Sequence, residues 1–142
     1  MSLRNAIKEE LAADGGVSAI VADRIYELTA AADATEPYLI IEITDEEGQP
    51  HLRGGSGLVD ATVGIECVAT TATGMDALAD AVREALDTKR DTLGTGADAT
   101  VVRNIALTAR GDTVIEPRDG SRGYKRVRRL VFTVWYRESI PA

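Results

Sequence analysis

Residues 58–70 read LVDATVGIECVAT, and residues 71–93 continue TATGMDALADAVREALDTKRDTL. In the first of these segments apolar residues alternate with more polar ones, which is the period of a β-strand with one buried face. The apolar phase comprises Val59, Ala61, Val63, Ile65, Cys67 and Ala69. The pattern therefore predicts a long strand that leads directly into a helix.

The second segment has the pattern of an amphipathic helix that runs through Leu93. Thr73 and Asp76 form a pair like a capping box at its start. Lys89 and Arg90 fall in its last turn, where cations suit the helix dipole. Apolar residues recur at spacings of three and four, namely Met75, Leu78, Ala79, Val82, Ala85 and Leu86. We expect this helix to lie on the sheet that contains the strand.

Length and composition predict one domain that spans residues 1–142. The single cysteine, Cys67, excludes an internal disulfide, and its place in the apolar phase predicts a small core residue in a reducing compartment. A reactive thiol is the alternative. No apolar run is long enough to span a membrane, and the segment Met1–Ala6 lacks the hydrophobic region of a signal peptide. A soluble protein of the cytosol is expected.

The formal charge of −7 is unevenly distributed. Residues 1–100 carry −12, whereas residues 101–142 carry +5. This asymmetry suits a chain that packs head to tail against copies of itself, although one fold could also mix both segments over a single surface. An acidic total argues against binding of nucleic acid without sequence preference, because such binding needs a basic footprint.

The remaining elements follow from shorter patterns. They are a helix from Ser2 to Ala13 that Asp14-Gly15-Gly16 ends, a short turn at 17–21, an edge strand at 24–26, a strand at 37–44, a strand at 100–108 that a turn at 110–112 ends, and a last strand from Tyr124 to Arg137. Two polar segments, Asp45–Gly57 and Asp112–Gly123, are predicted to be long loops. The order predicts an α+β fold, in which a mostly antiparallel mixed sheet carries two main helices packed on one face.

The last strand holds four of the six aromatic residues of the chain. Its second face is half apolar and includes Trp135, which suggests that a partner covers it. Alternatively, Trp135 lies under the N-terminal helix.

The sequence contains no pattern that predicts catalysis. Gly54-Gly55-Ser56-Gly57 lacks the lysine and the following helix of a phosphate-binding loop, so a hairpin tip is favoured. Asp45-Glu46-Glu47 with His51 matches no metal-ligand spacing. Asp60 and Glu66 would lie roughly 20 Å apart along one strand, too far to act as an acid–base pair. We therefore expect no enzyme, no cofactor and no metal.

Several motifs in this order resemble those of the tail-completion, or tail-terminator, proteins of long-tailed phages and prophages. They are Ser2-Leu3-Arg4-Asn5-Ala6-Ile7, Val21-Ala22-Asp23-Arg24-Ile25-Tyr26, Pro37-Tyr38-Leu39-Ile40, Gly54-Gly55-Ser56-Gly57-Leu58, Met75-Asp76-Ala77-Leu78-Ala79-Asp80-Ala81-Val82-Arg83, and the strand from Tyr124 to Tyr136. The resemblance covers nearly the whole chain. The segment Asp112–Gly123 departs from it by being longer and more charged.

The resemblance implies a structural subunit that forms a hexameric ring on the head-proximal end of the tail tube, stops tube polymerisation and offers a surface for head joining. The implied partners are further copies of the chain, the tail tube protein and a head–tail connector protein, with DNA passing through the ring without specific binding and no membrane contact. The implied location is the host cytoplasm during assembly and then the virion tail. Another connector protein, such as a stopper or adaptor, is the nearer alternative, and a small ligand-binding domain or hydrolase is the more distant one.

Within this interpretation the two long polar segments are expected to make the axial contacts, and Trp135 a lateral one. The expected interface residues are Asp45, Glu46, Glu47, Arg53, Arg118, Arg122 and Trp135.

Overall fold

The fold is an α+β sandwich with one mixed sheet and helices on one of its faces. The computed structural model describes residues 3–30, 35–51, 54–87, 90, 92–94, 100–115 and 125–137, with the backbone alone at 47–51, 54–58 and 115. The elements in chain order are α1 (Leu3–Ala13), α2 (Gly15–Val21), β1 (Ile25–Glu27), β2 (Tyr38–His51), β3 (Gly54–Ala69), α3 (Ala72–Leu86), β4 (Thr92–Leu93), β5 (Thr100–Ile115) and β6 (Lys125–Arg137). The predicted fold class is confirmed.

The described strands form one sheet in the order β1-β2-β3-β6-β5-β4. β1 pairs with β2 in parallel, and all the other neighbours pair antiparallel. The four long strands β2, β3, β6 and β5 therefore alternate in direction across the sheet. The short strands β1 and β4 occupy its two lateral edges.

The core lies between the helices and one face of the sheet, which we call the core face. The predicted apolar phase of β3 is buried there, together with Leu39 and Ile41 of β2 and Phe132 and Val134 of β6. Cys67 belongs to this core with no exposed surface, so the predicted core role of Cys67 is confirmed. The opposite side of the sheet, the open face, carries a small buried apolar cluster around Tyr38, Val68 and Val127.

The helix after β3 differs from its prediction at both ends. Thr71, not Thr73, is the N-cap, and its hydroxyl accepts a hydrogen bond from the Gly74 amide at 3.0 Å. The helix ends at Leu86 because Asp87 is extended, and the Asp87 carboxylate accepts a hydrogen bond from the Leu107 amide at 3.2 Å. Lys89 lies outside the described residues.

Asp14 and the two glycines after it do not simply end the first helix. Asp14 begins a new helix, α2, because its side chain accepts a hydrogen bond from the Val17 amide at 3.0 Å.

The predicted loop at 45–57 and the predicted turn at 110–112 are wrong in a way that bears on function. The segment Asp45–Gly57 is mostly strand, because β2 and β3 stay paired out to His51 and Gly54 with bulges near Thr44 and Gln49. Likewise Arg110-Gly111-Asp112 is not a turn, since β5 continues through it to Ile115 and pairs with β6 throughout. Residues 116–123 of the second predicted loop lie outside the described residues.

Candidate assembly surfaces

The sheet is longer than its core and extends from it at two opposite ends. The registers Leu58↔Arg137 and Ala69↔Arg126 show that β6 begins beside the end of β3. The β2–β3 end, residues 44–51 and 54–60, therefore lies at one end of the sheet. The β5–β6 end, residues 111–115 and 125–128, lies at the other. Two surfaces that face opposite directions can contact two different partners.

The β2–β3 end is acidic. Asp45 and Glu46 are exposed and lie on β2 just beyond the bulge at Thr44, opposite Thr62 and Ala61 of β3. Glu47 follows on the same strand, with its backbone paired to Asp60. The three predicted acidic interface residues are thus consecutive positions of a paired strand and not parts of a loop.

The β5–β6 end is basic, and its cations are held in place. The Arg128 guanidinium donates to both carboxylate oxygens of Asp112, at 2.7 and 3.0 Å, and also approaches Asp76 of α3 at 2.9 Å. The hydrogen bond from Arg128 holds the pKa of the Asp112 carboxyl below its usual value. Arg128 therefore ties β5, β6 and the first turn of α3 together.

Two other basic residues, Arg126 and Lys125, also make contacts that stabilise the β5–β6 end. The Arg126 guanidinium donates to the Thr70 carbonyl at 2.7 Å. Lys125 lies 3.2 Å from the Glu36 carboxylate and donates to the Tyr38 hydroxyl at 3.4 Å. These contacts hold the β5–β6 end in place as far as its last described strand pair, Ile115 and Lys125.

The centre of the open face carries one arginine between two carboxylates. Arg129 of β6 lies 3.2 Å from Glu42 of β2 and 3.4 Å from Glu66 of β3. It reaches Glu42 across Gly64, where a Cβ atom would lie only 2.5 Å from the guanidinium. Glycine at this position thus permits a bridge over three strands, which sequence spacing alone does not reveal.

Trp135 lies on the open face as well. Its neighbours Val134 and Tyr136 are buried in the core, whereas Trp135 is partly exposed opposite Asp60 and Asn104. The alternative that Trp135 lies under the N-terminal helix is therefore wrong, because α1 packs on the core face. The side-chain oxygen of Asn104 is buried and has no hydrogen-bond partner in the described part of the chain.

The other predicted interface residues, Arg53, Arg118 and Arg122, lie outside the described residues. The structure adds Glu42, Glu66, Arg128 and Arg129, none of which the sequence analysis assigned to an interface. In the sequence, the run of arginines at 126, 128 and 129 was the signal for Arg128 and Arg129.

The described residues give no chemical centre. No group of three or more histidine, cysteine, aspartate or glutamate side chains among them is placed to hold a metal ion. Cys67 has no exposed surface, and this burial raises the pKa of its thiol to about 12, which disfavours the thiolate. No helix among these residues is long and apolar enough to cross a membrane.

Residues 5–136 match the family described as "Tail completion protein gp17". The chain belongs to this tail-completion family. The match includes both ends of the sheet, the open face, α2, α3 and all but the first two residues of α1. This tail-completion protein is therefore a structural protein of a phage tail, as the resemblance of its motifs implied.

A solved structure supports the fold of the tail-completion protein. A chain of a structure titled "Virion of native gene transfer agent (GTA) particle" matches it with a TM-score of 0.65 and 17% identity, over 96% of this chain and 95% of the other. At this identity the likeness shows a shared fold. No match was found among curated proteins.

Proposed function

We propose that this tail-completion protein caps the head-proximal end of the tail tube as a ring, where it ends tube polymerisation and provides the surface for head joining. The observation that carries the proposal is the separation of the acidic β2–β3 end from the basic β5–β6 end along the strands. With the strands along the ring axis, one end would face the tube and the other the head connector. The protein would act by binding alone, without catalysis.

A ring also needs two different complementary flanks on each subunit, because each copy contacts its two neighbours through different surfaces. Trp135 lies on the open face of β6, an inner strand of the sheet that pairs with β5 through Asn104. We assign Trp135 and the unpaired oxygen of Asn104 to a lateral contact with a neighbouring copy. Rings of a Trp135→Ala variant should then be less stable than those of the parent, and equal stability would contradict this assignment.

The net charge of −7 agrees with a ring through which DNA passes, because an acidic wall repels the phosphate backbone. The hexameric state belongs to this proposal. Native mass spectrometry of the purified protein, or of tails that carry it, would measure the number of copies.

The central test is electron microscopy of particles from cells whose phage or prophage carries an early stop codon in this gene. Free heads beside headless tails of irregular, excess length are expected, because only a missing cap leaves tube growth unchecked. Tails of normal length that fail to join heads would instead favour a stopper or adaptor. Intact virions would contradict any role in assembly. A plasmid copy of the parent gene is the control.

The two ends can be tested separately, because the strand registers allow each to be shortened. Replacing residues 49–58 by Asn-Gly would join the paired residues Gly48 and Val59 through a two-residue turn. Replacing residues 116–124 in the same way would join the paired residues Ile115 and Lys125. We expect one variant to fail at tube capping and the other at head joining. If both variants assembled virions as the parent does, the axial role of the two ends would be wrong.

A further inference from the structure

The distal part of β5, residues 109–115, follows a bulge and lies beyond the core. The register between β5 and β6 shifts between Leu107 and Ala109, and a bulge of this kind bends a strand and interrupts its ladder. All residues from 108 to 114 are exposed, so apolar packing does not hold this segment against the helices. Its position relative to the helices therefore depends on other contacts.

The outer edge of the distal part of β5 is open as well. β4 pairs only with Thr100 and Val101, so in the described part of the chain residues 108–115 have a neighbouring strand on one side alone, which is β6. Edge segments that bury few side chains open locally at a low free energy. Contacts made by side chains at this end can thus decide how well it is ordered.

Arg128 connects the distal part of β5 with the helical layer. Its Nε and Nη2 atoms donate to Oδ1 and Oδ2 of Asp112, at 2.7 and 3.0 Å, and Nη2 also lies 2.9 Å from Oδ1 of Asp76. Nη2 carries two hydrogens, so it can donate to both carboxylates at once. Because the guanidinium is a rigid planar fork, its bond to Asp76 fixes the direction in which it meets Asp112.

The other two members of this contact are anchored in the body of the subunit. Asp76 directly follows the buried Met75 on α3, the helix that Thr71 caps. Arg128 lies on β6 opposite the fully buried Cys67, and its side chain is only 18% exposed. The guanidinium therefore joins an exposed edge segment to a helix and a strand that the core holds in place.

We propose that Asp76 and Arg128 are positioning residues for the axial contact of the β5–β6 end, because they hold the distal part of β5 in the conformation that a partner protein binds. The inference rests on the function proposed above and deepens it, since Asp76 lies on a helix outside the proposed contact surface. A surface that is ordered before binding loses less conformational entropy when the partner arrives. Without Asp76 the subunit would stay folded, but its β5–β6 end would bind more weakly.

Amide hydrogen exchange of the purified full-length protein tests the first step. In Asp76→Ala, the amides of residues 109–115 that bond to β6 should exchange about tenfold faster than in the parent, while those of β3 should be unchanged. The matched control is Asp80→Ala, which removes an exposed aspartate one turn farther along α3 and outside the Arg128 contacts. Equal acceleration in the control, or none in Asp76→Ala, would overturn the inference.

A double variant shows whether Asp76 acts through Arg128. Asp112→Ala removes the link between Arg128 and β5, so adding Asp76→Ala to it should cause no further change in exchange at residues 109–115. Additive effects of the two substitutions would mean that Asp76 acts by another route, and they would overturn the role given to Arg128.

Complementation of the stop-codon mutant connects this positioning with assembly. A plasmid that carries Asp76→Ala should give roughly three- to tenfold fewer complete particles than the Asp80→Ala plasmid. The incomplete particles should be arrested at the same step as those of the variant in which residues 116–124 are replaced. A parental yield from Asp76→Ala, while the shortened variant is arrested, would overturn the inference and leave the proposed function intact. A parental yield from the shortened variant would overturn the axial role of this end and the inference with it.

Discussion

Phe132 is the side chain whose removal should cost the isolated subunit most. It is the largest side chain in the structure with no exposed surface, and it lies at the middle of β6. The register places it between Val63 of β3 and Leu107 of β5. Because backbone hydrogen bonds hold both neighbouring strands in place, the cavity cannot collapse readily when the phenyl ring of Phe132 is removed.

The expected loss for Phe132→Ala is therefore about 3 to 5 kcal/mol of unfolding free energy. A domain of this kind has about 5 to 15 kcal/mol in total, so the variant would lose a large part of its stability. With a urea slope of about 2 kcal/mol per M, the unfolding midpoint should fall by about 2 M. The matched control is Thr133→Ala, the next residue on the open face, which should change the stability by less than about 0.5 kcal/mol.

Urea titration followed by circular dichroism and by fluorescence measures both variants, at concentrations where the subunit is monomeric. Trp135 is the only tryptophan, and its position on the open face leaves the emission probe outside the altered core. Equal losses for Phe132→Ala and Thr133→Ala, or a loss below about 1 kcal/mol for Phe132→Ala, would refute the assignment of the two faces of β6.

Three further predictions concern the polar contacts and the cysteine. Gly64→Ala should be close to neutral in the parent chain, because the new methyl group displaces the Arg129 guanidinium while it stiffens the strand. In an Arg129→Ala background only the stiffening remains, so Gly64→Ala should stabilise the protein by about 0.5 kcal/mol. Urea titration of the parent, the two single variants and the double variant measures this difference. The lowered pKa of Asp112 means that its pair with Arg128 contributes stability above the unfolded-state pKa, and this contribution is lost as the pH falls through the lower folded-state pKa. Asp112→Asn should thus flatten the acid limb of a plot of stability against pH, and an unchanged limb would contradict the pairing. Cys67 should not react with a thiol reagent at pH 8 until urea unfolds the chain, and rapid labelling of the native protein would show that the thiol is accessible.

The sequence predicted the parts of the fold that have one buried face. The alternation in residues 58–70 and the apolar stripe of α3 both report burial against a core, and both are as predicted. The cap at Thr71 was missed because Thr73 has the same chemistry, and only the extended backbone at Thr71 distinguishes them. The early end of α3 depends on the Leu107 amide, twenty residues away along the chain.

The predicted loop at 45–57 and the predicted turn at 110–112 were wrong for a common physical reason. Beyond Ile43 in β2 and beyond Leu107 in β5 the described side chains are exposed on both faces of the sheet, so the alternation disappears. Strand pairing persists there through backbone hydrogen bonds and, at Asp112, through an arginine of another strand. Such contacts depend on register, which local sequence does not encode.

For the candidate surfaces, the sequence identified some of the exposed residues but not the contacts between strands. The exposed acids Asp45 and Glu46 were identified by charge alone, and the structure places them on one strand. The bridge from Arg129 to Glu42 and Glu66 was missed because it joins residues from three strands. Gly64, a glycine in the middle of an otherwise regular strand, was the one sign that another group approaches closely there.

The length of the strands connects the fold with the proposed assembly. Strand residues beyond the helices bury little apolar surface, so they add little to the stability of one copy. Open edges and exposed side chains such as Leu28 and Val114 also expose a lone copy to nonspecific pairing. In the proposed ring, both features would become favourable where neighbouring copies and axial partners cover these residues. The same reasoning predicts where variants should act: substitutions in the core should weaken the subunit itself, whereas substitutions at the edges should leave the subunit folded and weaken only its assembly.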